Sequence, residues 1–338
     1  MDLKKLERIL ADQPAFRIKQ ARHFIFNELG NDWSEATTLP PLLRQKLNQE
    51  FPLNIESEFH KSKDGQSIKA LITLHDGLKI ETVLMSHADR ESVCVSTQVG
   101  CALACTFCAT GQMGFKRNLQ VDEIVLQVLL WQRRLKKQQK KVTNVIFMGM
   151  GEPLLNYDNL LEAIKIMRSE QGFGLGTRRF SISTIGIVDK ILKLADDEPE
   201  INLALSLHVS KDDIRKMLIP FHENYSLAEL RQTMLEYLKK TKRKIMIEYI
   251  MIDGINDSIH DARNLAKWLK NMICVVNLIP YNQTGVYKPT PMAQIKEFKK
   301  VLTERGVEVT ERYKMGEDIA GACGQLAGQN IEKNKKLA

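Results

Sequence analysis

This 338-residue sequence lacks the features by which membrane and secreted proteins are recognised. No apolar run approaches the roughly 18 residues of a transmembrane helix. The N-terminus, MDLKKLERIL, is charged and amphipathic, without the apolar core of a signal peptide. Internal repeats and low-complexity stretches are also missing, apart from a lysine-rich tail at 332–336. We therefore expect a cytoplasmic protein of about two domains that has no membrane partner.

Acidic residues are fewer than basic ones. The 41 Asp and Glu residues stand against 49 Lys and Arg, a net charge of +8. This excess favours a polyanionic partner, because each neutralised phosphate releases condensed counterions. Three basic stretches, 133–141, 178–179 and 239–244, are candidate contacts for RNA phosphates. A solvated helix face is the alternative, and for 133–141 it is the preferred interpretation.

The pattern of apolar residues divides the chain. Its first fifty or so residues repeat apolar side chains at helical spacing and predict three helices. Strand patterns at 70–74 and 78–85 flank Asp76-Gly77, a favoured tight-turn pair, and predict a β-hairpin. From about residue 92 strands and helices alternate, which predicts an α/β fold in which helices cover a parallel sheet.

The alternating part contains six predicted strands, which suit a partial, open parallel β/α barrel better than a closed barrel of eight. The strands are 92–97, 144–148, 180–184, 202–207, 244–251 and 274–278, and the helices are 121–140, 159–169, 188–195, 226–240 and 258–271. Ligands should gather at the carboxyl ends of such strands. The predicted domains are an N-terminal helical module (1–55), a β-hairpin linker (56–90), the partial barrel (91–311) and a C-terminal loop with a basic tail (312–338).

Cysteine is scarce, but three of the six cysteines lie within eight residues: Cys101, Cys105 and Cys108. In a cytosolic chain, close-set thiols bind metals or do redox chemistry more often than they form structural disulfides. A structural zinc site normally has four protein ligands, whereas three thiolates can hold three irons of a [4Fe–4S] cluster and leave the fourth open to S-adenosylmethionine. This spacing, with Phe107 before the last cysteine, resembles the motif of the radical S-adenosylmethionine superfamily. A zinc loop or three unrelated thiols is the alternative.

Polar and small residues follow the predicted strands where a ligand would bind. The turn at 149–153 matches the superfamily's glycine–glutamate motif, in which glycines let the backbone approach a ligand and either their carbonyl groups or Glu152 can receive the methionine ammonium group. Taken singly, such residues are more often turns or helix caps, and their shared position at strand ends makes them ligand candidates. The predicted adenosylmethionine-binding residues are Gly151, Glu152, Ser183, Ser206, Leu207, His208 and Asn282.

The whole chain resembles the RlmN/Cfr family of radical RNA-adenine methyltransferases. The resemblance rests on the N-terminal helices and hairpin and on three motifs, at 94–101 (CVSTQVGC), 149–153 (GMGEP) and 318–326 (DIAGACGQL). It implies a [4Fe–4S] cluster in each chain and two molecules of S-adenosylmethionine in each turnover. It also implies a monomer that recognises RNA through its N-terminal helices and receives electrons from a flavodoxin or a ferredoxin.

The resemblance further implies catalytic roles for Cys323, Cys94 and Glu81. A first adenosylmethionine methylates Cys323, whose thiolate is a competent nucleophile. A second yields a deoxyadenosyl radical that takes hydrogen from the S-methyl group, and the methylene radical adds to the adenine ring. Glu81 then removes the ring proton, and Cys94 attacks Cys323 to release the product through a disulfide. From the strand pattern alone Glu81 would be an ordinary exposed residue, and Cys274 a core residue.

Two branches of the family differ in the ring carbon that they methylate. The motifs at 98–103 and 151–156 favour the carbon-2 branch, with 23S ribosomal RNA and also transfer RNA as substrates. The stretches 181–187 and 17–20 lean toward the carbon-8 branch, which confers antibiotic resistance, and Gly321 departs from the usual pattern. An alternative of another class is a non-catalytic RNA-binding protein with a structural metal.

Overall fold

The computed structural model describes residues 3–311 and 315–328, with the backbone alone at 222 and 223. In this part of the chain the strands are β1 (Ser57–Lys61), β2 (Ser67–Thr73), β3 (Lys79–Ser86), β4 (Glu91–Cys94), β5 (Gln98–Gly100), β6 (Phe115–Asn118), β7 (Asn144–Phe147), β8 (Phe180–Thr184), β9 (Asn202–Ser206), β10 (Ile245–Met251), β11 (Cys274–Pro280) and β12 (Glu308–Glu311). The α-helices are α1 (Leu3–Ile9), α2 (Phe16–Phe26), α3 (Pro41–Glu50), α4 (Ala109–Gln112), α5 (Val121–Lys136), α6 (Tyr157–Arg168), α7 (Val188–Asp197), α8 (Asp212–Leu218), α9 (Leu227–Thr241), α10 (Ile259–Trp268) and α11 (Met292–Thr303). The lysine-rich tail at 332–336 lies outside the described residues.

Ten of these strands make one continuous sheet, in the order β1-β2-β3-β4-β7-β8-β9-β10-β11-β12. The first four pair antiparallel, and the pairs from β4 to β12 are parallel. Side chains from strands between β3 and β12 line a single cavity, so the sheet curves around it as a partial barrel. The predicted α/β fold class with an open parallel barrel is therefore confirmed.

The barrel contains one parallel strand more than the six that the sequence predicts. The additional strand, β12, pairs with β11 at the edge of the sheet. Its sequence, EVTE, holds one apolar residue, and two of its four side chains are exposed. An edge strand of this kind leaves no apolar run or clean alternation in the sequence, which is why the pattern missed it.

The predicted hairpin is present as β2 and β3, which turn through Asp76 and Gly77. Gly77 has a φ of +79°, which a glycine adopts without strain. The strand β1 pairs with β2 on the outside, and β3 pairs antiparallel with β4, with Val83 opposite Cys94. The hairpin thereby extends the barrel sheet and carries residues of β3 into the barrel wall.

Local signals account for where the long helices begin. A capping box joins Gln120 and Glu123 at the start of α5, and Ser226 with Glu229 forms another at the start of α9. The first turn of α5 is acidic and its last turn is basic, which suits the helix dipole. Among the described residues, helices fall short of the length and apolar character needed to cross a lipid bilayer.

The three predicted N-terminal helices are present as α1 to α3, and residues of α2 and at the end of α3 contact Trp33, which is fully buried. The ring of Phe24 lies 5.4 Å from that of Trp33, and Trp33 Nε1 donates to the carbonyl oxygen of Phe51 at 2.7 Å. The indole thus contributes both apolar contact and a satisfied polar group at the centre of the module.

Arg133 attaches this module to the barrel. It lies near the end of α5, is buried, and donates to the carbonyl oxygens of Leu53, at 2.7 Å, and of Gly30. Both sequence-based interpretations of Arg133, an RNA phosphate contact and a solvated helix face, are therefore wrong. Other residues of the three basic stretches that bond to acceptors in this chain are Lys136, Lys140, Arg178, Lys240, Arg243 and Lys244.

We expect Arg133→Met to lower the free energy of unfolding by about 2–4 kcal/mol, because two buried carbonyl groups lose a charged donor. Lys137→Met, an exposed change just beyond the same helix, should have little effect. Chemical denaturation measures both, and limited proteolysis should cut residues 30–55 faster in Arg133→Met. Equal stability of the two variants would show that Arg133 does not attach the module.

Candidate active site

The backbone after β4 lies directly against the backbone after β7. The Thr97 N–H donates to the carbonyl oxygen of Met150 at 2.8 Å. A Cβ at Gly149 would lie 2.7 Å from the carbonyl oxygen of Val95, and a Cβ at Gly151 would lie 2.5 Å from the Cβ of Gln98. Both glycines also line a cavity. The sequence suggested that they allow the backbone to approach a ligand, but in the structure they allow two segments of the chain to approach each other.

The cysteine loop, residues 101–108, follows β5 and is shaped by two further glycines. Gly100 has a φ of +74°, and a Cβ there would lie 1.8 Å from the carbonyl oxygen of Gly114. A Cβ at Gly111, in α4, would lie 2.8 Å from the carbonyl oxygen of Cys105. The loop therefore folds back against its own flanking residues, and this places its three thiols on one side.

The three predicted metal ligands, Cys101, Cys105 and Cys108, line one cavity of about 150 Å³. Burial raises the pKa of Cys101 to about 12, with a further contribution from repulsion by Cys108. Burial also raises the pKa values of the other two thiols. A bound cation relieves this cost of forming thiolates, so the donor set fits a metal group.

The spacing of the three thiols distinguishes between a single metal ion and a cluster as the group that they would bind. Within residues 3–311 and 315–328, no three His, Cys, Asp or Glu side chains converge where one metal ion would fit. A zinc ion takes all its thiolates at about 2.3 Å, whereas a [4Fe–4S] cluster binds each thiolate through a different iron.

Glu152 lies on the same cavity and is almost fully buried. Its Oε1 accepts from the Leu154 N–H, and its Oε2 accepts from the Ile185 N–H, each at 3.0 Å. Burial raises the pKa of this carboxyl to about 7. Two backbone donors orient the carboxyl but leave it without a full counter-charge, so a ligand with an ammonium group would complete its environment.

The predicted residues at the ends of β8 and β9 reach this cavity as well. The hydroxyl groups of Ser183 and Ser206 lie 3.0 Å apart. His208 has a φ of +60°, and its Nδ1 accepts from the Ile250 N–H at 3.2 Å. Burial lowers the pKa of His208 to about 3. The ring is therefore neutral, with its proton on Nε2, and can donate one hydrogen bond to a ligand.

Two of the predicted ligand residues are placed differently. Leu207 is fully buried and does not line the cavity, and its carbonyl oxygen accepts from Arg215 Nε at 3.1 Å. Asn282 lines a second, larger cavity, and its Nδ2 donates to the carbonyl oxygen of Cys323 at 3.0 Å. Its Oδ1 is buried without a hydrogen-bond partner among the described residues, so it can accept a hydrogen bond from a ligand.

The larger cavity, of about 620 Å³, lies against the inner face of the barrel sheet. Cys94, on β4, and Cys323, on the C-terminal loop, both line it. Cys323 also lines the smaller cavity, together with the three cysteines of the 101–108 loop. It therefore lies at the junction of the two cavities. Cys274, expected in the core, is only partly buried but packs against it, away from both cavities.

Glu81 is fully buried on β3, so the expectation of an ordinary exposed strand residue is wrong. Its Oε1 lies 2.6 Å from Lys69 Nζ. Its Oε2 accepts from the N–H groups of Ala327, at 2.7 Å, and Gly328, at 3.2 Å. Glu81 lines neither cavity, because the C-terminal residues cover its carboxylate.

Lys69 and Glu248 are among the buried charged residues that the sequence pattern did not reveal. Lys69 lies in β2 and Glu248 in β10, each with apolar residues on both sides along the strand. Glu248 lines both cavities, and its Oε2 accepts from Asn277 Nδ2 at 2.8 Å. A charged residue inside an apolar strand could have identified both residues as functional candidates. A charge is buried only where it is paired with another group or takes part in binding or catalysis.

Comparison with known proteins identifies relatives that agree on one family. Residues 95–269 match the family model of the radical SAM superfamily. The chain is 41% identical over 325 residues to a protein of Dictyoglomus turgidum named probable dual-specificity RNA methyltransferase RlmN, which covers 96% of this chain and 93% of that protein. A protein of the same name from Thermotoga maritima is 41% identical, over 94% of this chain and 92% of its own length.

A solved structure is similar over the full fold. The radical SAM methyltransferase from Sphaerobacter thermophilus superposes with a TM-score of 0.93 at 40% sequence identity. The match covers 97% of this chain and 98% of that one. The similarity therefore includes the N-terminal helices and the hairpin as well as the barrel.

Gly100→Ala should disrupt the cysteine loop, because its Cβ would overlap a backbone oxygen that no rotamer change can move. We expect a loss of about 4 kcal/mol or more in the free energy of unfolding, and less than half the iron bound per chain after reconstitution. Gly114→Ala is the matched control, since Gly114 has a φ of +71° but nothing within 4 Å of an added Cβ. It should cost about 1 kcal/mol and retain the iron. Equal iron content in both variants would contradict this account of the loop.

Proposed function

This chain belongs to the RlmN-type radical S-adenosylmethionine RNA methyltransferases, and we propose that it methylates carbon 2 of an adenosine in 23S ribosomal RNA and in transfer RNA. The family assignment removes the alternative of a non-catalytic RNA-binding protein. Relatives of about 40% identity are named dual-specificity RNA methyltransferases, which supports two kinds of RNA substrate. The observation that carries the proposal is the position of Cys323 at the junction of the two cavities.

The smaller cavity is proposed to hold the cofactors of the superfamily. Cys101, Cys105 and Cys108 would hold one [4Fe–4S] cluster per chain, and a bound cluster would supply the one-electron reduction of S-adenosylmethionine on which radical chemistry depends. Glu152 would receive the ammonium group of the methionine moiety. Hydrogen bonds to the same ligand would come from His208 Nε2 and from the serine hydroxyl groups beside it.

Radical chemistry suits the substrate proposed for the larger cavity. Carbon 2 of adenine is electron-poor and does not displace a methyl group from a sulfonium, so a polar transfer to it is closed. A cavity of about 620 Å³ can enclose a nucleotide that has left its base stack. The net charge of +8 favours RNA binding, and ribosomal RNA as substrate would place the reaction in the cytoplasm.

Cys323 and Cys94 would handle the methyl group between these cavities. Cys323 contacts the cofactor cavity and the substrate cavity, so one thiol can accept a methyl group from the first adenosylmethionine and present it to the base. Cys94 lines the substrate cavity and would release the product by forming a disulfide with Cys323. An external reductant, such as flavodoxin or ferredoxin, would restore the thiols and supply the electrons.

The experiment that tests this function is mass spectrometry of nucleosides from unmodified RNA, incubated anaerobically with the reconstituted protein, reductant and S-adenosylmethionine. We expect 2-methyladenosine from both ribosomal and transfer RNA. Cys323→Ala should give no product, and Cys94→Ala should leave protein covalently bound to RNA. Cys274→Ala, which changes a thiol outside both cavities, should retain activity.

Other outcomes would change specific parts of the proposal. The appearance of 8-methyladenosine would keep the cysteine roles and move the protein to the carbon-8 branch. Product from only one of the two RNA pools would limit the substrate to that pool. Full activity in Cys323→Ala would rule out its role as methyl carrier.

Glu152→Gln should weaken binding of S-adenosylmethionine roughly tenfold or more, because the amide preserves the shape of the carboxyl but removes its charge. Glu162→Gln, an exposed change on α6, should leave the affinity unchanged. Equilibrium binding to the anaerobic, cluster-loaded protein gives both dissociation constants. An unchanged constant for Glu152→Gln would mean that this carboxyl does not receive the ammonium group.

A further inference from the structure

Lys69 and Glu81 form a fully buried ion pair beneath the C-terminal loop. Lys69 lies on β2 and Glu81 on β3, with 1% of each side chain exposed, and Nζ lies 2.6 Å from Oε1. Replacing a buried ion pair by apolar residues of similar volume is often neutral or stabilising. The stability of the sheet is therefore a poor explanation for this pair, and its other contacts are more informative.

The other side-chain hydrogen bonds of the pair go to the loop that contains Cys323. Lys69 Nζ donates to the carbonyl oxygen of Ala320 at 3.2 Å, three residues before the cysteine. Glu81 Oε2 accepts from the N–H groups of Ala327 and Gly328, four and five residues after it. The ion pair thus contacts the loop on both sides of Cys323, the cation through a carbonyl group and the anion through two amide groups.

Neutral groups hold the middle of the same loop. Asn282 Nδ2 donates to the carbonyl oxygen of Cys323 at 3.0 Å, the Ala109 N–H to that of Gly324 at 2.7 Å, and Thr110 Oγ1 to that of Leu326 at 2.6 Å. Hydrogen bonds to charged groups are roughly twice as strong as those between neutral groups. The strongest attachments of the loop are therefore at its two ends, where Lys69 and Glu81 lie.

We propose that Lys69 is a positioning residue, which acts with Glu81 as a clamp on residues 320–328 and thereby keeps Cys323 at the junction of the two cavities. The proposal deepens the proposed function, because it rests on the role of Cys323 as methyl carrier. It also gives Glu81 a role before any proton transfer. In the described structure the carboxylate serves the loop, so residues 327–328 have to leave it before it can reach a base.

Hydrogen exchange, measured by mass spectrometry on the anaerobic, cluster-loaded full chain without RNA, tests the clamp. Lys69→Met and Glu81→Gln should each speed exchange in residues 320–328 roughly tenfold, because charge-assisted bonds are lost. Each of these variants also leaves its partner's charge buried and unpaired, so exchange in β2 and β3 will rise too. Lys69→Arg keeps the charge and should retain the protection of the loop.

The double variant Lys69→Met with Glu81→Gln separates positioning from structure. It contains no unpaired buried charge, so β2 and β3 should regain wild-type protection while residues 320–328 still exchange roughly tenfold faster. Lys61→Met and Glu58→Gln remove charges from exposed positions on β1 and are the matched controls. They should exchange as the wild type does.

Methylation of Cys323 by S-adenosylmethionine in the absence of RNA provides a functional measurement. Its initial rate, followed by peptide mass spectrometry, should fall at least fivefold in Lys69→Met and in the double variant, and recover in Lys69→Arg. Wild-type exchange at 320–328 in the double variant, or equal loosening of β2, β3 and the loop, would overturn the clamp. Fast loop exchange in that variant, with no methylation of Cys323 even in the wild type, would keep the clamp and reject the proposed function.

Discussion

The geometry of the site depends on the direct backbone contact between residues 95–98 and 149–152. No side chain separates the two segments, because glycines occupy the positions where a Cβ would collide with the facing backbone and side chains. Ser96 lies at the centre of this contact. Its Oγ donates to the carbonyl oxygen of Glu81 at 2.6 Å, and its backbone N–H and C=O groups bond to the amide of Gln127 on α5. One contact therefore sets the relative positions of the cysteine loop, the Glu152 turn and the strand that carries Glu81.

Burial decides the chemical character of the groups placed in this way. The thiols of the cysteine loop and the carboxyl of Glu152 share a cavity in which burial raises their pKa values, so a bound cation would lower the cost of their charged forms. The imidazole of His208 is held neutral by the same burial and acts as a single donor. The larger cavity adjoins the smaller one, and Cys323 lies on the wall of both. A thiol in that position connects the cavity of the cysteine loop with a space of about 620 Å³.

Much of the site was predictable from the sequence because its residues occur in short, specifically spaced motifs. The three cysteines of the 101–108 loop lie within eight residues, and Glu152 follows a strand that the apolar pattern identifies directly. Predictions failed where a charged side chain is buried against backbone groups that lie far from it in the sequence. Arg133 belongs to a basic stretch typical of a solvated helix face, yet it is buried against two carbonyl groups. Glu81 follows an ordinary strand alternation, and its burial results from a loop that is remote in sequence.

The α/β class, the hairpin, the cysteine loop and the strand-end residues around the smaller cavity could be predicted from the sequence, because these follow from spacings of a few residues and from local backbone preferences. Which residues meet across the chain depends instead on the folded structure. Lys69 and Ala320 are 251 residues apart, and Glu81 and Ala327 are 246 apart. Whether such groups touch depends on the register of the sheet and on the docking of the C-terminal loop, both of which arise from many packing contacts at once. No local pattern records them.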